Sequence, residues 1–213
     1  MRIHAHMSDD RGFSLIELIV IMAMMVVAIG MGSLGMSLLT GSEAKQACEK
    51  INAQLNEAKT GSMSRYDEDL NIVYVDDPSL YDWADKEGYY AVKQMTTLGI
   101  NTTSGASYKM PTEVPLTVEH RYLCNNRVSM VLTIDGGSTY DVNPVSTDGI
   151  GFDFDRATGL YKNVRTGCSV TGSGTVASSN TYNTSPSCLE MKSGLKSYKI
   201  NFVKDTGKHS IEK

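Results

Sequence analysis

No charged residue lies between Leu18 and Leu39, and those 22 residues are nearly all apolar or small. The run opens Leu18-Ile19-Val20-Ile21-Met22-Ala23-Met24-Met25-Val26-Val27-Ala28-Ile29 and continues through glycines and serines to Leu39. As an α-helix it would reach about 33 Å, against a hydrocarbon core about 30 Å thick. The pattern therefore predicts a single membrane-spanning helix. A buried core helix rarely runs this long without a polar face. A secretory signal peptide would carry a shorter apolar core, about 7–15 residues, behind a basic start. Here Arg2 and Arg11 are offset by Asp9 and Asp10.

The rest of the chain divides around this run. Residues 1–12 read as a polar leader, and His4 and His6 within it as leader residues rather than metal ligands. Residues 13–40 form the transmembrane half of an N-terminal helix. Residues 41–65 form an amphipathic half, with Ala44, Ala47, Ile51, Leu55 and Ala58 recurring at steps of three and four on one face. Residues 66–213 form an extracytoplasmic β-rich head. Strand patterns appear at Asn71–Val75, Tyr89–Met95 and Val114–Leu123, the last placed at a sheet edge by Pro115. The stretch Arg127–Ile134 alternates with Val128, Met130, Leu132 and Ile134 on one side. Hairpins are expected at Arg156-Ala-Thr-Gly159 and Asp205-Thr-Gly207. Residues 169–187 are rich in Ser, Thr and Gly and read as a long loop.

One constellation carries chemistry. Arg11-Gly12-Phe13-Ser14-Leu15-Ile16-Glu17 opens the apolar run. A carboxylate at the edge of such a helix either reaches back to water or has a functional partner. The string Gly-Phe-Ser-Leu-Ile-Glu followed by a long apolar helix resembles the prepilin signal of type IV pilins and type II secretion pseudopilins. The resemblance implies cleavage after Gly12 by a prepilin peptidase and N-methylation of the new first residue, Phe13. It also implies that Glu17 pairs with the Phe13 α-amine of a neighbouring subunit during assembly. Two charges that are each costly in an apolar setting offset one another when they meet. The motif covers about the first 30 residues. Residues 42–65 and the closing hairpin around Gly207 are similar in layout to the H-type minor pseudopilins. This leader is less basic than the family's, and Leu34 stands among glycines where many major pilins have a mid-helix proline. The fold that the resemblance implies is α+β and pilin-like: a long N-terminal α-helix, transmembrane in its first half, packed on an antiparallel β-sheet head. Within the helix, Ala28 and Gly32, and Ser33 and Ser37, stand four apart, a spacing that lets helices approach closely.

The four cysteines are Cys48, Cys124, Cys168 and Cys188, which allow three pairings. An extracytoplasmic head permits disulfides. A Cys168–Cys188 bridge would staple the Ser/Thr/Gly loop, worth about 3 kcal/mol, and Cys48 would then be left to meet Cys124; the alternative is four buried free thiols. No metal site is expected, because no close Cys pair and no His at ligand spacing are present. Asp148, Asp153 and Asp155 hint at a cation loop but lack calcium-hand spacing, and a solvated hairpin is the preferred reading. No phosphate loop, nucleophile elbow or zinc-protease motif occurs, so no catalytic residue and no cofactor are expected. A formal net charge of -4 with scattered Lys and Arg gives no basic field for nucleic acid.

The function expected from the sequence is structural rather than enzymatic: a subunit of a type IV pilus or of a secretion or competence pseudopilus. Its partners would be the prepilin peptidase, other pilin or pseudopilin subunits and membrane lipid, with DNA contact only in a competence machine. It would sit as a single-pass inner-membrane protein before assembly, its head on a cell-surface or periplasmic filament. The alternatives are a membrane-anchored extracytoplasmic binding or receptor module, and an anchored hydrolase with an unrecognised site.

Overall fold

A computed structural model describes the backbone of residues 14–63, 66–101, 110–142, 148–155, 157–178, 180–182, 184–203 and 206–212. Side chains are described for these residues apart from 31–40, 66, 67, 96–101 and 110–117. The chain divides into two compact units, Met1–Leu39 and Thr40–Lys213.

Helix α1 runs Leu15–Ser62, followed by strands β1 Tyr66–Val75, β2 Gly88–Asn101, β3 Met110–Cys124 and β4 Ser129–Ile134. Then come β5 Thr139–Val142, β6 Gly149–Phe154, β7 Tyr161–Val170 and β8 Val176–Ala177. The chain closes with β9 Asn180–Tyr182, β10 Pro186–Ser193, β11 Lys196–Val203 and β12 Lys208–Glu212. A short 3₁₀ turn, Pro78–Leu80, sits between β1 and β2 and is capped by the Asp77 carboxylate.

In Thr40–Lys213 the strands make two antiparallel sheets. The first has seven strands in the order β3-β2-β1-β6-β7-β8, with β9 also pairing β7, and the second has five in the order β12-β11-β10-β4-β5. The run Ile72-Val73-Tyr74-Val75 is apolar without a break because both faces of β1 are covered. Leu70, Ile72 and Tyr74 join the main core, while Val73 and Val75 join a smaller cluster with Tyr90, Val92 and Cys168. Tyr81 and Trp83, just after the 3₁₀ turn, pack against that second cluster. The main core takes Ala44, Ala47, Cys48, Ile51, Leu55 and Ala58 from α1 and inward side chains of both sheets, Phe152 and Tyr161 from one and Leu132, Leu189 and Ile200 from the other. Two lysines tie α1 to the strands: Lys50 Nζ donates to the Leu123 carbonyl and Lys59 Nζ to the Gly207 carbonyl, each at 2.9 Å.

The expected fold class is corrected. Among the described residues the structure is mostly β, with 49% strand against 27% helix, rather than an α+β pilin-like fold set by a long helix that is transmembrane in its first half. The strand share exceeds the sequence patterns because backbone pairing recruits residues of any type. β2 extends past Met95 through Thr96, Thr97 and Gly99, each with a partner on β3. The Ser/Thr/Gly stretch expected as loop holds β8 and β9, and both pair with β7.

The expected membrane span is corrected as well. Among the described residues no helix is long and apolar enough to cross a membrane, against the expectation of a transmembrane helix over 13–40 and a single-pass inner-membrane location. The described apolar side chains run from Leu18 to Ile29, behind the charged Glu17.

Two finer expectations agree with the strands. β3 lies at the edge of its sheet, and Pro115 stands opposite Thr96 where the register shifts, a position where a missing N–H costs no regular ladder bond. The turn between β6 and β7 closes through Gly159, whose φ of 66° is left-handed and suits glycine.

Candidate functional site

The sequence directs attention to the start of α1. Gly12 and Phe13 lie outside the described residues. Ser14 is the first described residue and caps the helix: its Oγ accepts the Glu17 N–H at 3.3 Å, and its carbonyl accepts the Glu17 and Leu18 N–H groups at 3.0 and 3.2 Å. Ser14-Leu15-Ile16-Glu17 thus has the spacing of a capping box. Glu17 is exposed and sits in the first turn, where the helix dipole favours negative charge. The sequence offers two roles for Glu17, an assembly partner or a carboxylate that reaches back to water, and neither is that of a cap. The Ser-x-x-Glu spacing was the available signal for its local role.

Behind the cap the helix is apolar on every side. Leu15 is 80% exposed, Ile29 is 73% exposed, and even the least exposed large side chain between them, Ile21, is 41% exposed. Consecutive apolar residues on a 3.6-residue helix leave no polar face to present to water. A patch of this kind on a soluble surface marks an interaction site. Ala28 is described, but the side chains of Gly32, Ser33 and Ser37, with which close helix contact was expected, lie outside the described residues.

The last turns of α1 face a second constellation that the sequence reading did not single out. Lys93 on β2 is almost fully buried and lies 2.9 Å from Glu57 Oε1 on α1 and 3.1 Å from Glu119 Oε2 on β3. Arg121 adds a longer contact to Glu57 at 3.4 Å. Its bond to Lys93 holds the Glu57 carboxyl below its ordinary range, burial opposing. Glu68 on β1 is the outlier. It is 4% exposed, its Oε2 has no hydrogen-bond partner, and burial pushes its carboxyl above the ordinary range, the nearby Lys93 charge opposing. A β-carbon at Gly61 would collide with this carboxylate, so the bare backbone of α1 makes its room. No run of residue types announces this cluster, because its members come from four separate elements.

The expected disulfides are corrected: all four cysteines are free. Cys168 is on β7 of the seven-stranded sheet, packed among Val73, Val75, Tyr90 and Val92. Cys188 is on β10 of the five-stranded sheet, opposite Thr133 and Asn201. The strands β8 and β9 order the intervening segment by pairing with β7, so no staple is needed there. Cys48 and Cys124 both lie in the main core as thiols. Burial pushes Cys48 up to about 11 and Cys124 and Cys168 up to about 12, which keeps them protonated and unreactive.

Two of the three carboxylates considered for a cation loop are otherwise engaged. Asp153 pairs with Arg165 at 2.8 Å. Asp155 Oδ1 accepts from the Ala157 and Thr158 N–H groups and from the Thr158 hydroxyl, and the Thr158 bonds hold its carboxyl low. His120 on β3 stacks on Trp83 with ring centroids 4.0 Å apart and lies 3.2 Å from the Gly174 carbonyl.

No family model matches the chain, and no curated protein or solved structure matches it. Neither the pilin label nor the transmembrane anchor expected from the sequence gains support from these findings.

Proposed function

We propose that this chain is a structural subunit that is cut after Gly12 by a prepilin peptidase, methylated on Phe13, and assembled with further copies or related subunits into a pilus-type or pseudopilus-type filament. The observation that carries this reading is the exposed apolar surface of Leu15–Ile29 directly behind the Gly12–Phe13 signal. A surface apolar on all sides has no place in water, and the same segment of other subunits covers it with like chemistry. Removal of residues 1–12 leaves a free α-amine at Phe13, four positions before the Glu17 carboxylate. In a stack of subunits each amine meets a neighbour's carboxylate, and each charge lost from water gains a partner.

The test is co-expression with a prepilin peptidase, followed by intact mass and N-terminal sequencing. The expected product begins at methylated Phe13. Gly12→Val blocks the cut, because a branched side chain keeps the peptidase from the scissile bond. Glu17→Ala is still cut but enters sheared filaments poorly. A product that retains residues 1–12 overturns the reading, as does Glu17→Ala assembling at the level of the parent.

A further inference from the structure

In Thr40–Lys213, a cavity of about 460 Å³ opens where β5 of the five-stranded sheet stands beside β6, β7 and β9 of the seven-stranded sheet. Its volume is in the range of small-molecule sites, roughly 300–1,000 Å³. β5 supplies Tyr140 and Asp141, the residue before β6 supplies Asp148, β7 supplies Thr166, and β9 supplies Asn180 and Tyr182. The Tyr140 and Tyr182 rings lie 5.4 Å apart at 40°. Part of the floor is bare backbone. A β-carbon at Gly149 would run into the Ile72 and Cys168 carbonyls, so no side chain can fill the cavity from that point.

The lining selects its ligand by hydrogen-bond chemistry. Asp141 and Asp148 only accept, whereas Asn180 and Thr166 both donate and accept. Two carboxylates with no cation among the described lining residues repel phosphate or sulfate. A metal ion is not served, since no group of three acidic, His or Cys side chains suited to one occurs among the described residues. An organic cation would use the two carboxylates weakly, because both are exposed and water screens them, and it would leave the amide and hydroxyl donors idle. A polyol matches every group: each hydroxyl donates a hydrogen bond to a carboxylate and accepts one from the amide or the threonine. The tyrosine faces then cover the apolar C–H face of a sugar ring.

We infer that this cavity is a saccharide-binding site, with Tyr140 and Tyr182 as the platform for a pyranose ring and Asp141, Asp148 and Asn180 as the groups that hold its hydroxyls. The inference goes beyond the assembly reading and uses only residues of Thr40–Lys213, so either can fail without the other.

The experiment is saturation-transfer NMR on the full chain with cellobiose, maltose and N,N′-diacetylchitobiose. Choline and inorganic phosphate serve as counter-probes. At least one disaccharide binds with a Kd near 1 mM, as suits an open polar site, and its ring C–H protons receive the strongest transfer. Asp148→Asn, an exposed change that preserves shape, weakens binding about tenfold, as does Tyr182→Ala. Because Asp148→Asn leaves the core untouched, it decides the matter if Tyr182→Ala fails to fold. The inference is overturned if none of the three disaccharides binds, if Asp148→Asn binds as the parent does, or if choline or phosphate is bound in preference.

Discussion

Two stretches of α1 share one backbone conformation and obey opposite rules. In Ala44–Ala58 the apolar residues 44, 47, 48, 51, 55 and 58 fall on one face, and that face is fully buried among the strands. In Leu15–Ile29 they fall on every bearing and remain exposed. The first stretch completes its packing within the chain. The second leaves its described apolar side chains exposed. Stability and association should therefore be separable by position along a single helix.

The largest expected effect comes from the buried stretch. Leu55→Ala should lower the unfolding free energy of the head by about 2–5 kcal/mol in a denaturant titration, the usual range for a truncated core leucine. Its counterpart Val20→Ala should leave that titration unchanged and weaken self-association in sedimentation. Equal loss of head stability in both variants would erase the distinction between the two stretches.

A gain comes next. Glu68 is buried beside Glu57, Glu119 and Lys93, and its carboxyl titrates above the ordinary value of 4.5. A carboxyl whose folded value is raised favours the fold when protonated and burdens it once ionised. Glu68→Gln should therefore raise the melting temperature at neutral pH, and the gain should shrink as the pH falls towards 4.5. Glu57 has the opposite sign: held low by Lys93, it stabilises above the ordinary value, and this is lost as the pH falls through its lowered one. A Glu68→Gln gain that grew on acidification would contradict the assignment.

Much of this was legible in the sequence, and the limits have physical causes. The buried face of α1 could be read because helical periodicity is local: Ala44, Ala47, Ile51, Leu55 and Ala58 repeat within one segment. The edge position of β3 could be read because Pro115 has no N–H to offer a ladder. The share of strand could not, because pairing is a property of two segments and Thr96, Thr97 and Gly99 carry little preference alone. The free cysteines were hidden for the same reason, since Cys168 and Cys188 are twenty apart in sequence yet belong to different sheets. The Lys93 cluster and the two-tyrosine cavity each draw on at least three elements, and no single stretch announces them. The local role of Glu17 was present in the spacing from Ser14 and was obscured by its functional reading.

A smaller effect tests the cap. Ser14→Ala removes the side-chain acceptor for the Glu17 N–H and should cost about 0.5–2 kcal/mol at the start of the helix. Faster amide exchange at Glu17 would report it, with no change in the melting of the head. The smallest expected effect is none at all: residues 40–213 expressed alone should melt where the full chain does and sediment as a monomer. A lower melting temperature would mean that Leu15–Ile29 contributes to the head after all.

The two lysine tethers have a mechanical consequence. Lys50 binds the helix to β3 through the Leu123 carbonyl, and Lys59, nine residues on, binds it to the turn before β12 through the Gly207 carbonyl. The anchor points thus belong to different sheets and lie about 13 Å apart along the axis. Tension applied along the helix would strain both fastenings together with the buried face, in shear, instead of peeling contacts off one after another. Bonds loaded side by side share the pull and fail only as a group. A head fastened in this manner can transmit traction from its helix to both sheets without first unravelling at its end.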